Sequence, residues 1–203
     1  MAEEIRNNAQ NTAAEPQLSE ILQVRRDKLK TLQDAGSDPF RITKFDVSHH
    51  AEEIREQFEK LEDKEVTLAG RMMAKRVMGK ASFAHIQDLS GKMQLYVARD
   101  SLGEEPYAGF KKLDIGDIIG VKGEVFRTKM GELSVRVSEL TLLSKSLLPL
   151  PEKFHGLQDK ELRFRQRYVD LIMNPDVRRN FEIRSKFIKF MRAYLDNMHY
   201  MEV

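Results

Sequence analysis

From Val66 onward the apolar residues recur at every second position, and this period restricts the fold more than any other feature of the chain. Three such runs, VTLAGRMMAKRVM, SFAHIQDL and KMQLYVAR, are separated by turn signals at Met78–Gly79 and Ser90–Gly91. A short helix is predicted around Pro106 to Leu113. Strand character then resumes in DIIGVKGEVFRT and ELSVRVSELTLL, divided by Lys129–Met130–Gly131. Side chains alternate across a strand, so Ala84, Ile86, Met93, Leu95, Val97, Leu133, Val135 and Val137 are expected to face a core. In the first run Val66, Leu68 and Met72 do the same and leave Arg71 and Lys75 outside.

Three strands, a helix and two strands are the order of an OB-fold, a small Greek-key barrel whose second and third strands commonly bind oligonucleotides. Closure removes the edges that an open five-stranded sheet would expose. An SH3-like barrel competes but lacks the intervening helix. The predicted class is therefore mainly β with flanking helices, α+β, the barrel spanning 66–145. Residues 1–17 read as a disordered tail and 18–65 as N-terminal helices. The first helix starts at Ser19, carries Ile21, Leu22, Leu29 and Leu32 on one stripe, and is closed by Gly36 and Pro39; the second runs from Ser48 to about Asp63 with Ile54, Phe58 and Leu61 on one side. Residues 146–160, with two prolines within SLLPLPEKFHGLQDKE, form a linker. From 161 to 203 a helical segment breaks near Pro175, a long helix ends near Asn197–Met198, and Tyr200 to Val203 read as a strand just beginning.

The net charge of +2 does not by itself announce a nucleic-acid partner, but its distribution is uneven. Seven acidic residues face three basic ones from Ala51 to Glu65, whereas six Lys or Arg face two Asp from Gly70 to Asp100, where the central hairpin lies. With no cysteine there are no disulfides or thiolate metal sites, and the five scattered histidines have no ligand spacing, so no metal site is expected. No apolar run approaches the length of a membrane span, and the polar, acidic N-terminus is unlike a signal peptide, so the chain is expected in the cytoplasm.

The outward face predicted by parity carries Phe83, His85, Gln94, Tyr96, Glu132 and Arg71. An aromatic can stack on an unpaired base, an amide and a carboxylate can address a base edge, and cations meet phosphates. A carboxylate beside nucleic acid is repelled by phosphate unless a base donates to it, so Glu132 favours reading over charge binding alone. Each residue taken singly is more often cover or ordinary surface; the combination is what points to a site. Arg25, Arg26, Lys28 and Lys30 on the first helix form either a solvated face or a phosphate-tracking one. Ser82, His85 and Asp88 are not expected to form a triad, since strand residues three apart point to opposite faces.

The strings AGRMMAKRVMGKASFAHIQDLSGKMQLYVARD, KFHGLQD, RQRYVDLI and FEIRSKFIKFMRAYL resemble the N-terminal part of bacterial class II lysyl-tRNA synthetases, from about residue 18 to the end. The resemblance implies an anticodon-binding barrel followed by the start of a class II catalytic domain, with the base-stacking aromatic at Phe83, the base readers at Gln94 and Glu132, and an anticodon-loop contact at Arg71 or Arg76. It implies the lysine tRNA anticodon loop as partner, and ATP and Mg2+ for the longer parent enzyme, with no cofactor in this chain. The last helix is similar to motif 1 of that class, which builds a homodimer interface, here through Phe181, Arg184, Phe187, Ile188 and Met191. The two later motifs of the class are not in this sequence, so these residues are expected to bind tRNA without charging it. A free-standing tRNA or single-stranded nucleic-acid binder is the competing class; a DNA binder would leave the motif 1-like helix unexplained.

Overall fold

The computed structural model describes residues 20–151 and 159–203. The chain divides into two compact units, Met1–Pro149 and Leu150–Val203. The tail predicted at 1–17 and residues 152–158 of the linker predicted at 146–160 lie outside the described residues.

The first unit is a closed five-stranded barrel with strand order β1-β2-β3-β5-β4, where β1 is Glu65–Met78, β2 Ala81–Gln87, β3 Lys92–Ala98, β4 Ile118–Arg127 and β5 Leu133–Ser144. Neighbours are antiparallel except β3 and β5, which are parallel over Gln94↔Ser134, Leu95↔Val135 and Tyr96↔Arg136. The alternating pattern is the cause. Val66, Leu68, Met72, Ala84, Ile86, Met93, Leu95, Val97, Ile119, Val121, Val125, Val135 and Val137 all fill the interior with almost no exposure. Between β3 and β4 the chain forms α4, Arg99–Leu102, and α5, Glu104–Lys112, which adds Tyr107 and Phe110 to the same core.

Before the barrel, residues 20–34 form α1, followed by a 3-10 turn at Pro39–Arg41 and by α2, Ala51–Glu56, and α3, Phe58–Leu61. The single helix expected from Ser48 to Asp63 is thus two, because the chain leaves helical dihedrals at Gln57 (φ −105°, ψ 21°). Ile54, Phe58 and Leu61 still all reach the core. The β2–β3 turn holds α2 in place. Asp88 Oδ1 accepts from the backbone N–H groups of Ser90 and Gly91 at 2.8 Å, Oδ2 accepts from Ala51 N at 2.8 Å, and Ser90 Oγ accepts from Glu52 N at 3.0 Å, so a turn side chain caps a distant helix. Phe45 packs over Gly120, where a Cβ would sit 2.4 Å from its ring.

The α5–β4 connection is the most heavily bonded point. Lys145, almost fully buried, donates to Asp114 Oδ2 at 2.5 Å and to both Asp117 oxygens at 2.8 and 3.0 Å; Asp117 also accepts from Ser146 N and Asp114 N, each at 2.8 Å. Lys28 reaches Asp114 Oδ1 at 2.7 Å. Arg25 donates to the carbonyls of Ser146 (2.8 Å), Ile115 (3.2 Å) and Leu148 (3.3 Å). Two of the four cations expected to offer a phosphate-tracking face on α1 are therefore corrected: Arg25 is buried and Lys28 is paired, because that side of the helix docks on the barrel. Arg26 and Lys30 stay exposed.

The second unit comprises α6, Lys160–Arg165, α7, Arg167–Met173, and α8, Pro175–Asn197. They meet around the buried Asp170, which accepts from Arg163 Nε at 2.9 Å, from Asn174 Nδ2 at 2.6 Å and from Arg167. Burial would raise its carboxyl, but these donors prevail and hold it below the ordinary carboxylate value. The strand expected at Tyr200–Val203 does not form. His199 adopts a left-handed conformation (φ 62°), Tyr200 N returns to Leu195 O at 3.1 Å, and Glu202 pairs with Arg192 at 2.9 Å, so the segment folds back on α8. No described helix is long and apolar enough to cross a membrane.

Two outcomes are expected. Burial pushes the Asp88 and Asp114 carboxyls up, but backbone and Ser90 donors at the first, and Lys145 and Lys28 at the second, outweigh it and hold both below the ordinary value. Their stabilisation is therefore complete above the unfolded carboxylate pKa of about 4 and is lost as pH falls through the lower folded values. In urea melts from pH 7 down to 2, Asp88→Asn should show a shallower acid loss than the parent chain. Lys145→Met leaves the buried Asp117 carboxylate without its counter-charge and should cost about 3–5 kcal/mol in urea unfolding at pH 7, whereas Lys122→Met on the surface should leave the urea midpoint close to that of the parent chain.

Candidate nucleic-acid interface

The outer face of the hairpin is assembled by register. In β2 and β3, Phe83 lies opposite Tyr96 and His85 opposite Gln94. The parallel pairing with β5 sets Gln94 beside Ser134 and Tyr96 beside Arg136, and β4 sets Phe126 against Ser134. Phe83, His85, Gln94 and Glu132 thus occupy one face, and His85 Nε2 lies 3.3 Å from Glu132 Oε1. Phe83 is half-buried, its ring centroid 5.3 Å from that of Tyr96; Tyr96 in turn meets Phe126 edge-on at 6.0 Å. Edge contacts of this kind hold the rings upright and leave an aromatic surface for a further ring. Arg136 lies 4.8 Å over the Phe126 ring and 3.6 Å from Glu124.

Gln94 is not freely exposed as the alternation alone suggests. It is only 8% exposed, because its Nε2 donates to the buried Ser134 Oγ at 2.8 Å between the two strands. The amide is thereby fixed in one orientation, with its carbonyl oxygen as the group left to accept from a ligand. Glu132, 54% exposed, is the second acceptor beside it.

A bulge in β1 places the two arginines in different surroundings. The register with β2 shifts between Met72 and Ala74, so parity reverses within the strand. Arg71 pairs with Gln87 and its guanidinium donates to Gly116 O at 2.8 Å; burial pulls its pKa down. After the bulge Arg76 pairs with Phe83 and is exposed. Lys75, expected outside, is a correction: the extra residue turns it to the other face, where its ammonium donates to Lys111 O at 2.9 Å and to Leu113 O, and burial holds its pKa below the ordinary value.

Ser82, His85 and Asp88 are not brought together. Ser82 points inward to Tyr107, His85 outward to Glu132, and Asp88 into its turn. Sequence reasoning missed Phe126 as part of the face, although the parity of Val121 and Val125 already put it outside. Among the described residues no group of three or more His, Asp or Glu side chains could hold a metal ion.

Residues 66–143 match the family model described as an OB-fold nucleic acid binding domain, and residues 159–203 match that of class II tRNA synthetases (D, K and N). The chain is 52% identical over 189 residues to the lysine–tRNA ligase of Clostridium tetani, 54% over 187 to that of Carboxydothermus hydrogenoformans, and 53% over 194 to that of Bacillus subtilis. These alignments cover 93%, 92% and 92% of this chain but 38%, 38% and 39% of the relatives. The chain therefore spans less than two fifths of the length of the relatives it matches.

The two arginines should separate in a stability measurement. Arg71→Ala removes a donor from the Gly116 carbonyl and should lower stability by about 1–2 kcal/mol, while Arg76→Ala should leave the urea midpoint within about 0.5 kcal/mol of the parent.

Proposed function

This chain corresponds to the N-terminal part of the bacterial class II lysine–tRNA ligases, and from that premise we propose that its barrel reads the anticodon loop of lysine tRNA. The observation that carries the reading is the joint placement of Phe83, Gln94 and Glu132 on one outer face beside a free cation, Arg76. Phe83 stacks on an unpaired base. The Gln94 carbonyl and the Glu132 carboxylate accept from its edge, which selects a base that offers N–H donors. His85 orients Glu132, and Arg76 meets the phosphate next to the stacked nucleotide. Arg71 contributes by holding the strand. Arg26 and Lys30 add weak backbone attraction.

In such a ligase the barrel serves an enzyme that activates lysine with ATP and Mg2+ and esterifies the tRNA 3′ end in the cytoplasm. It pairs as a homodimer through α8, where Phe181, Phe187 and Met191 are 40, 63 and 44% exposed with Arg184 and Ile188 on the same helix. These apolar side chains are the kind that a second subunit covers.

Phe83→Ala should weaken binding of a lysine tRNA anticodon stem-loop to this chain by about 1–3 kcal/mol, roughly five- to 150-fold, in a filter-binding or fluorescence titration. A stem-loop with a replaced anticodon should bind both proteins alike. Unchanged affinity for the lysine anticodon would remove Phe83 from the site.

A further inference from the structure

Phe83 and Arg76 flank the short turn joining β1 to β2, and this turn is held from inside the protein by one hydroxyl. Tyr107 of α5 is 2% exposed, with its ring stacked 6.3 Å from Phe110 and under the Lys111 ammonium at 4.7 Å. Its hydroxyl lies 2.9 Å from Gly79 O and 2.8 Å from Ser82 Oγ. A carbonyl can only accept, so the single phenolic proton is given to Gly79, and Ser82 must donate its own proton to the phenolic oxygen. The result is a directed chain, Ser82 to Tyr107 to Gly79. It fixes the left-handed turn residue Gly79 (φ 61°) and the inward side chain next to Phe83.

The turn is also held by Arg99 N donating to Lys80 O at 2.9 Å and by the ladder pairs Met78↔Ala81 and Ala81↔Ala98, while Val77 and Met78 stand 45% and 43% exposed. A turn with so little cover depends on its few buried bonds for its shape. We propose that Tyr107 is a positioning residue for base reading: without touching RNA, its hydroxyl sets the turn that holds the Phe83 ring and the Arg76 guanidinium at a fixed separation.

This inference rests on the anticodon-reading role of the face, and the experiment separates the two. Tyr107→Phe deletes the hydroxyl and keeps the ring packing. In titrations of this chain with a lysine anticodon stem-loop and with an anticodon-replaced one, it should lower the ratio of the two affinities about three- to tenfold, the worth of one or two hydrogen bonds, with the replaced loop bound as before. Ser82→Ala keeps the bond from Tyr107 to Gly79 and should lower the ratio less. Gly79→Ala disturbs the same anchor from the solvent side, where nothing lies within 4 Å of the added Cβ, and should reproduce the loss even if Tyr107→Phe does not fold. A parent-like ratio in Tyr107→Phe, or in Gly79→Ala where the former does not fold, overturns the proposal while Phe83→Ala still loses discrimination. If Phe83→Ala also keeps the ratio, the reading of the face falls and the positioning role with it. An equal drop for both RNAs assigns Tyr107 to stability alone and overturns the proposal.

Discussion

A lysine ammonium buried between two aspartates governs how this barrel is put together. Lys145, just beyond β5, meets Asp114 and Asp117 on the connection into β4, and Lys28 joins them from α1. Such a cluster is costly to bury, and it is tolerated because nearly every oxygen has a donor. Arg25, Arg71 and Lys75 then take carbonyls of the same connection. One short peptide thereby fixes the first helix, the curve of β1 and the end of β5. The outer face of the hairpin is left to be shaped by different, smaller forces.

The bulge at Met73 is the point where those demands meet. The connection is bonded to both backbone groups of Met72, through Met72 N to Asp117 O and Gly116 N to Met72 O, each at 2.8 Å. Immediately afterwards the strand gains a residue, and every later side chain changes side. Lys75 is delivered inward to cap carbonyls near α5, and Arg76 outward next to Phe83. Without the extra residue Lys75 would fall on the side of Arg71 and Arg76 on the inward side of Met72; the bulge exchanges the two, so that the structural cation faces in and the surface cation faces out.

The five strands, the helix between the third and fourth, and nearly all the interior residues were legible in the alternation of apolar side chains, because a barrel this small has a strictly two-sided sheet. The face holding Phe83, His85 and Glu132 followed from the same parity. What escaped was long-range or local in a way that period does not encode. No pattern in VTLAGRMMAKRVM marks the extra residue, so Lys75 was assigned to the wrong side. The cations of α1 look like a solvated stripe until Asp114 and the carbonyls at 115, 146 and 148 are brought beside them. Gln94 alternates outward, yet Ser134, forty positions away, draws its amide between the strands. The resemblance to class II synthetases implied a stacking role for Phe83 and reading roles for Gln94 and Glu132 and left Arg71 and Arg76 undivided; the bulge leaves Arg71 bonded to a carbonyl and Arg76 exposed.

The parallel joint between β3 and β5 consists of only three residue pairs, and it closes a circuit whose other joints are long antiparallel ladders. Its formation requires chain segments about forty residues apart to meet, an entropic demand none of the hairpins makes. Gln94–Ser134 and His85–Glu132 both straddle this seam. Any molecule gripped at once by β2, β3 and the strand across the gap therefore acts as a rivet: its binding energy is added to the weakest joint of the drum, and the amides along β3 and β5 become slower to exchange when it is bound.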